Sequence, residues 1–283
     1  MQISVITPVK NGAEFLVQAI ESIVNQAGDF TMEYIIVDGG STDATLEIAK
    51  YYATQINTCQ RRIFCKQLEV KVVSQTDNSM YDALSTGLKL AKGDVICYLN
   101  ADDIYLPNAL NCVVDIFTRF KNIEWLTGFP VRYNESGNII RSYIPFRYNN
   151  QLILEGFYGE TLNFIQQESV FWRRDLNKHI DTEVLKSFKL AGDYFLWHSF
   201  AKATKTLFVV ESLLGGNRIR PNQLSAHLPS YFAEFNAIKN KSSFKNSALA
   251  FVYGLIEKYC GQSIKRRLGT NRVWYGNGVW NLK

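Results

Sequence analysis

The first 120 residues alternate apolar runs with amphipathic segments four times over, a rhythm that few architectures can satisfy. Ile3–Thr7 is apolar, and Ala13–Gln26 then sets Leu16, Ala19, Ile20 and Ile23 on one helical face. Glu33–Val37 precedes a helical pattern from Asp43 to Tyr52, and Val70–Ser74 precedes Tyr81–Ala91. Asp94–Leu99 precedes Pro107–Phe120, with Leu106, Leu110, Val113 and Phe117 in register. Strand–helix units of this size predict an α/β fold with a mostly parallel sheet flanked by helices on both faces. Ligands of such sheets lie beyond the carboxyl ends of the strands. Thr7-Pro8, Asp38-Gly39-Gly40, Asp77 and Asn100-Ala101-Asp102-Asp103 all fall at that edge.

After Trp125 the alternation breaks. Val131–Tyr143 reads as a hairpin turning at Asn134–Asn138, Leu190–Ala203 as a helix, Thr206–Val210 as a strand and Gly215–Ser225 as a polar loop. The division expected is a body over 1–225 and a small helical, basic C-terminal appendage over 226–283. That tail carries nine Lys/Arg against Glu234 and Glu257, a net +7 in a chain whose total is +5. The body is thus slightly acidic, which argues against nucleic acid as a partner. Ala248, Phe251, Val252 and Leu255 share a helical spacing, followed by Lys265-Arg266-Arg267. A surface helix packed on the body is the first expectation, and peripheral contact with an anionic membrane is the alternative. No apolar run approaches the ~20 residues of a membrane span. The opening residues show no basic start and no cleavage site, so the expected location is cytoplasmic. The five cysteines show no metal-ligand spacing.

Chemistry concentrates in a few places. Val95–Leu99 delivers Asp102 and Asp103 to the sheet edge, where carboxylates beside an apolar interior need a partner. A divalent Mg²⁺ or Mn²⁺ that already carries phosphate oxygens is one such partner; capping of the next helix is the other reading. Asp38 stands at a strand tip beside two glycines, placed to accept an N–H or a ribose hydroxyl, and Ser41 or Thr42 can cap the helix that follows. Asp193 opens the segment Asp193-Tyr194-Phe195, either as a helix cap or as a base that its aromatic neighbours partly desolvate.

Taken in order, several segments resemble the family 2 glycosyltransferases of GT-A fold. They are Val37–Asp43, Ser74–Ala83, Ala91–Val95, Leu99–Asp103, Gln166–Arg174, Ala191–Tyr194 and Gly215–Ser225. The resemblance implies a GT-A-like, Rossmann-like sheet and an enzyme that moves a sugar, with inversion, from a nucleotide donor such as a UDP-sugar to a hydroxyl of a glycan or lipid-linked acceptor. It implies donor contacts from Thr7, Pro8, Asp38, Asp77, Asn100, Ala101, Arg218 and Arg220, with Asp102 as ligand to Mn²⁺ or Mg²⁺. Asp193 would be the general base, and 218–225 a loop over the diphosphate. It further implies bacterial surface-polysaccharide or glycolipid assembly, and the basic tail adds the expectation of a cytoplasmic enzyme held peripherally at the inner face of the membrane. Lys10 stands where the family commonly has an aromatic residue, Asn100 where it has the first acid of DxD, and Gln166-Gln167 where it has His-Gln. Two rival readings are a non-catalytic nucleotide-sugar or glycan-binding module, which needs neither Asp102 nor Asp193, and a sugar-nucleotide pyrophosphorylase, whose Gly-rich activating loop is missing.

Overall fold

The computed structural model describes residues 1–220 and 228–283. The expected alternation forms: β1 (Gln2–Val9), α1 (Ala13–Val24), β2 (Gly28–Asp38), α2 (Thr45–Asn57), β3 (Cys65–Ser74), α3 (Met80–Leu90) and β4 (Val95–Tyr98). They are followed by β5 (Ile104–Tyr105), α4 (Ala109–Arg119), β6 (Trp125–Thr127), β7 (Val131–Tyr133) and β8 (Ile139–Ser142). Short helices α5 (Asn150–Leu154) and α6 (Phe157–Glu160), strand β9 (Val170–Arg173) and the short helix α7 (Thr182–Leu185) lead to α8 (Gly192–Ala203), β10 (Phe208–Val210) and β11 (Gly215–Arg218). The tail supplies α9 (Leu228–Ile238), α10 (Phe244–Tyr259), α11 (Gln262–Leu268), β12 (Arg272–Gly276) and β13 (Val279–Leu282).

Among the described residues, nine strands form the main sheet in the order β13-β12-β10-β6-β9-β4-β1-β2-β3. β1 pairs in parallel with β2 and β4, and β2 with β3; β9 runs antiparallel between β4 and β6. The register sets Val9 opposite Asp38 and Asp38 opposite Ser74, so these strands end level and present their polar tips together. Ile3–Val9 is buried throughout because both faces are covered. On one face Ile3 and Val5 meet Leu16, Ile20 and Ile23 of α1 and Leu110, Val113 and Phe117 of α4. On the other, Ile6, Ile35 and Ile96 meet Leu84 and Leu88 of α3 and Trp172, Trp197 and Phe200.

A buried carboxylate on β2 ties β1, β3 and the turn before β4 together. Glu33 is 1% exposed; it accepts from Ser4 Oγ, from Lys92 N–H and from Gly93 N–H (2.9 Å), and pairs with Lys71 at 3.2 Å. Burial pushes its carboxyl up, but these donors outweigh it and hold the group below the ordinary carboxylate value. The Ala91–Asp94 turn owes its shape to this anchor. Glu33→Ala is expected to cost about 2–4 kcal/mol in urea unfolding, because two backbone N–H groups and Lys71 lose their acceptor. The wild-type advantage should shrink as pH falls through the depressed folded value, since it requires the ionised form. Equal unfolding midpoints at pH 7 would refute the assignment.

Three features depart from the sequence reading. Ser41 and Thr42 do not cap α2; Ser41 Oγ accepts from Asn11 N–H (2.8 Å), and Thr42 N–H donates to Asn11 Oδ1 (2.8 Å), locking the first two loops together. Residues Gly215–Arg218, expected in a loop, form β11, which pairs with β5 and β7 in a second sheet ordered β5-β11-β7-β8. A Cβ at Gly215 would stand 2.2 Å from the Glu168 carbonyl oxygen, so only glycine permits that approach. Finally, 226–283 is not helical throughout: β12 joins β10 in parallel, and the β12–β13 hairpin extends the main sheet. Its helix α10 buries Ala250 and Tyr253, whereas Phe251, Val252 and Leu255, the face expected to pack, are exposed. The Tyr253 ring meets Phe146 edge-on at 5.1 Å and lies under the Arg147 guanidinium at 4.7 Å.

Candidate active site

The level ends of β1, β2 and β3 bring Asp38 and Asp77 together. Asp38 is fully buried; it accepts from Ser74 Oγ (2.7 Å) and from Ser41 N–H (3.1 Å), so its carboxylate shapes the turn as well as facing the edge. Lys10 Nζ stands 3.8 Å from Asp77, whose carboxyl burial pushes up and Lys10 pulls down, with a net rise. Thr7, expected in the donor pocket, turns its hydroxyl inward to accept from Tyr34 at 3.1 Å, and Pro8 is buried in the sheet opposite Val37.

The second cluster follows β4. Asn100 Nδ2 reaches Gln167 Oε1 (3.2 Å) and Asp103 Oδ2 (3.3 Å), while its buried Oδ1 has no hydrogen-bond partner among the described residues. Ala101 packs its methyl against the α1 entry at Gly12. Asp103 is a buried support rather than a helix cap: its Oδ1 accepts from the Arg218 backbone N–H at 2.9 Å. Asp102 is the carboxylate left facing outward, and its Oδ2 accepts from Arg220 Nε at 3.0 Å and Nη2 at 2.9 Å. Arg218, expected to reach a diphosphate, is only 1% exposed instead. Its guanidinium lies between the rings of Phe15 (4.6 Å) and Tyr133 (4.7 Å), and its Nε donates to the Asp102 carbonyl at 2.9 Å. Arg218 therefore holds the Asp102 backbone in place, and Arg220 is the arginine that meets the carboxylate. The rest of the expected loop, 221–225, lies outside the described residues.

Sequence reasoning passed over Glu168, although it lies within the segment Gln166–Arg174. It is buried beside Asp102 and Asp103, and its Oε1 has no hydrogen-bond partner among the described residues. Burial pushes the carboxyls of Glu168 and Asp103 well up, and each feels the negative charge of Asp102. The donor set suits a hard cation: one outward carboxylate, Asp102, and the unpartnered amide oxygen of Asn100. Among the described residues no group of three or more His, Cys, Asp or Glu is placed to hold a metal by itself. A cation here would therefore draw most of its ligands from phosphate oxygens, as Mg²⁺ and Mn²⁺ commonly do.

The third element is Asp193, at the first turn of α8. A Cβ at Gly192 would come within 2.4 Å of the Tyr81 ring, so glycine lets the helix start directly against α3. The Tyr81 hydroxyl donates to the Leu190 carbonyl at 2.9 Å. Asp193 lines an aromatic depression with Tyr158, Phe164, Tyr194, Trp197 and Tyr231. Burial pushes its carboxyl up to about 6, and hydrogen bonds from the Tyr194 N–H and the Tyr231 hydroxyl limit the rise. Two of its supports come from the tail, where the sequence reading found basic charge and one helical spacing but no site residue. Besides Tyr231, Glu234 accepts from the backbone N–H groups of Lys189 and Leu190 (both 2.9 Å) and Ala191 (2.8 Å), fixing the entry to α8. The buried Tyr98 hydroxyl, which has no hydrogen-bond partner among the described residues, feels the charges of both Asp193 and Glu168.

A mostly parallel sheet with carboxylates at its polar edge and an acidic residue opening a late helix is the architecture of the GT-A glycosyltransferases. Residues 4–180 match the family described as Glycosyl transferase family 2, and the chain belongs to that family. It is 40% identical over 138 residues to a PGL/p-HBAD biosynthesis glycosyltransferase of Mycobacterium bovis, covering 43% of this chain and 49% of the relative. An uncharacterised glycosyltransferase of Rickettsia typhi is 26% identical over 238 residues, which cover 83% of this chain and 70% of that protein. The chain thus spans about half the length of the mycobacterial relative. The same fold occurs in S. aureus TarS 1-349 in complex with UDP-GlcNAc (TM-score 0.62, 16% identity, 95% of this chain and 70% of that one). It occurs also in the mannosyltransferase PcManGT from Pyrobaculum calidifontis in complex with GDP-Man and Mn²⁺ (TM-score 0.59, 17% identity, 89% and 69%).

Proposed function

We propose that the protein is an inverting glycosyltransferase, moving a sugar from a nucleotide donor, a UDP-sugar first, to a hydroxyl of a glycan or lipid-linked acceptor. The observation that carries this reading is electrostatic: the buried hydroxyl of Tyr98 feels the charges of both Asp193 and Glu168, and Glu168 in turn feels Asp102. A binding module has no need of a carboxyl desolvated to about 6, whereas a general base benefits from one. That TarS was solved with UDP-GlcNAc and PcManGT with GDP-Man and Mn²⁺ supports a nucleotide-sugar donor and a divalent cation for this fold.

In this reading Asp38 and Asp77 border the nucleoside, with Lys10 beside Asp77. Asp102 and Asn100 would hold Mn²⁺ or Mg²⁺, which when bound neutralises charge developing on the diphosphate. Arg220 supplies a second positive group next to the same carboxylate and can donate to phosphate oxygens. Asp193 takes the proton of the acceptor hydroxyl as that oxygen attacks the anomeric carbon from the face opposite the diphosphate. The buried rings of Tyr158, Tyr194 and Trp197 keep bulk water from one side of Asp193, and the partly exposed Phe164 and Tyr231 are the rings that an acceptor sugar could meet. We place the protein at the cytoplasmic side of the membrane, working in surface-glycan or glycolipid assembly. No helix among the described residues is long and apolar enough to cross a membrane.

A panel of sugar nucleotides, each incubated with and without Mn²⁺, tests the reading. Thermal stabilisation and slow cation-dependent hydrolysis by one donor class are expected, with inverted anomeric configuration in the transferred product. Stabilisation by nucleotides with no turnover toward water or any hydroxyl would return the protein to the binding-module reading.

A further inference from the structure

The helix pair α10–α11 carries an apolar face that none of the described residues covers. Phe244 is 92% exposed, Phe251 68% and Tyr259 68%, with Val252, Leu255, Ile264 and Leu268 also exposed. On α10 these fall at 244, 251, 252, 255 and 259, a single stripe at helical spacing. The opposite side of the same helix, through Ala250 and Tyr253, is already packed on the body. A helix apolar on both sides belongs between two layers, and here only one layer is present. Scattered exposed apolar residues are ordinary, but a continuous stripe led by two phenylalanines marks a binding surface.

Charge selects the occupant. Lys241, Lys245, Lys258 and Arg267 are exposed on and around the two helices, as is Arg266, which pairs with Glu211 of the body at 3.0 Å. Glu257, the one acidic residue of α10 and α11, is taken up by Lys265, with Nζ–carboxylate 3.4 Å and Nζ–carbonyl 2.8 Å. A second copy of this chain meeting the stripe across a two-fold axis would set basic rim against basic rim. An anionic bilayer satisfies both components at once, taking the apolar side chains into its acyl boundary and the cations among its headgroups.

We infer that the stripe Phe244–Phe251–Val252–Leu255–Tyr259 of α10, continued by Ile264 and Leu268 of α11, docks on the surface of an anionic lipid bilayer. This surface stands independently of the transfer reaction: it contains none of the residues assigned to donor, cation or base. The whole chain is tested by co-sedimentation with phosphatidylcholine vesicles and with phosphatidylcholine–phosphatidylglycerol vesicles. Binding to the anionic vesicles alone is expected. Phe251→Asp, at an exposed position, should reduce it at least about tenfold, the effect of withdrawing one large apolar side chain from the lipid and adding a charge. Lys245→Gln with Lys258→Gln should weaken it about tenfold or more, at roughly 1 kcal/mol per basic residue, and high salt should act in the same direction. Circular dichroism confirms that each variant is folded, and light scattering reports oligomeric state. Three results would overturn the inference: no sedimentation with either vesicle, equal sedimentation of wild type and Phe251→Asp, or a dimer that Phe251→Asp dissolves while lipid binding is absent.

Discussion

Asp193→Asn is expected to lower turnover by about 10²–10⁴-fold while leaving nucleotide binding within a fewfold of wild type, the loss typical of removing a general base. The side chain keeps its size and can still accept from Tyr231, so a fall in rate reports the lost proton acceptor and not a collapsed pocket. The pH profile carries more information than the single rate. Burial sets the Asp193 carboxyl at about 6, and only the ionised form accepts a proton, so turnover should climb through pH 6 and level above it. Tyr231→Phe removes a hydrogen bond that favours the ionised form and should move the climb to higher pH. Glu234→Gln removes a nearby negative charge and should move it lower. Tyr81, Tyr98 and Tyr194 also face the carboxylate and are unchanged in both variants. Opposite displacements cannot come from general loosening of the fold, which would depress both profiles in place. There is a stability consequence as well. The folded value lies above the ordinary 3.8, so ionisation of Asp193 opposes folding increasingly as pH rises from about 4 through 6. Asp193→Asn should therefore melt higher than wild type at pH 7 and lose that advantage near pH 4. An Asp193→Asn enzyme with full turnover would remove the base assignment.

How much of this was legible beforehand depends on which force set each feature. The four strand–helix units could be read because burial on both faces of β1 and β4 demands unbroken apolar runs, and α1 and α4 keep one apolar side each. The strand tips at Asp38 and Asp102 followed from the same runs. Periodicity could not choose a face for α10, because apolar residues occupy both sides and the choice was made by Phe146 and Arg147, distant in sequence, meeting Tyr253. Gly215-Gly216 looked like a loop since local preference disfavours glycine in strands; contact with the Glu168 backbone overrode it. Arg218 looked like a phosphate ligand by type, whereas its burial between Phe15 and Tyr133 depends on the approach of α1 and β7. Tyr231 and Glu234 reach Asp193 across some forty residues of chain, and no local pattern foretells such a contact.

Asp102→Ala is expected to reduce turnover by about 10²–10³-fold and to abolish its dependence on added Mn²⁺, since it removes the outward carboxylate of the β4 edge. The Arg220 contact complicates the prediction in a useful way. Arg220 holds Asp102 Oδ2 through Nε and Nη2, so the oxygen that would meet a cation is shared with a guanidinium. Both side chains are partly exposed, 20% for Asp102 and 35% for Arg220, and exposed pairs of this kind contribute only about 0–1 kcal/mol. That is small beside the attraction of a divalent cation carrying two phosphate groups, so the pair can open without a large penalty. Arg220→Ala should accordingly bind Mn²⁺ more tightly than wild type when no nucleotide is present, by a fewfold. With donor present it should be slower, because a positive group next to the diphosphate is gone. The two variants thus separate the carboxylate's roles. Were Asp102→Ala to keep both its rate and its response to Mn²⁺, the carboxylate would be serving only as Arg220's ionic partner, and the cation would have to be sought elsewhere along the sheet edge.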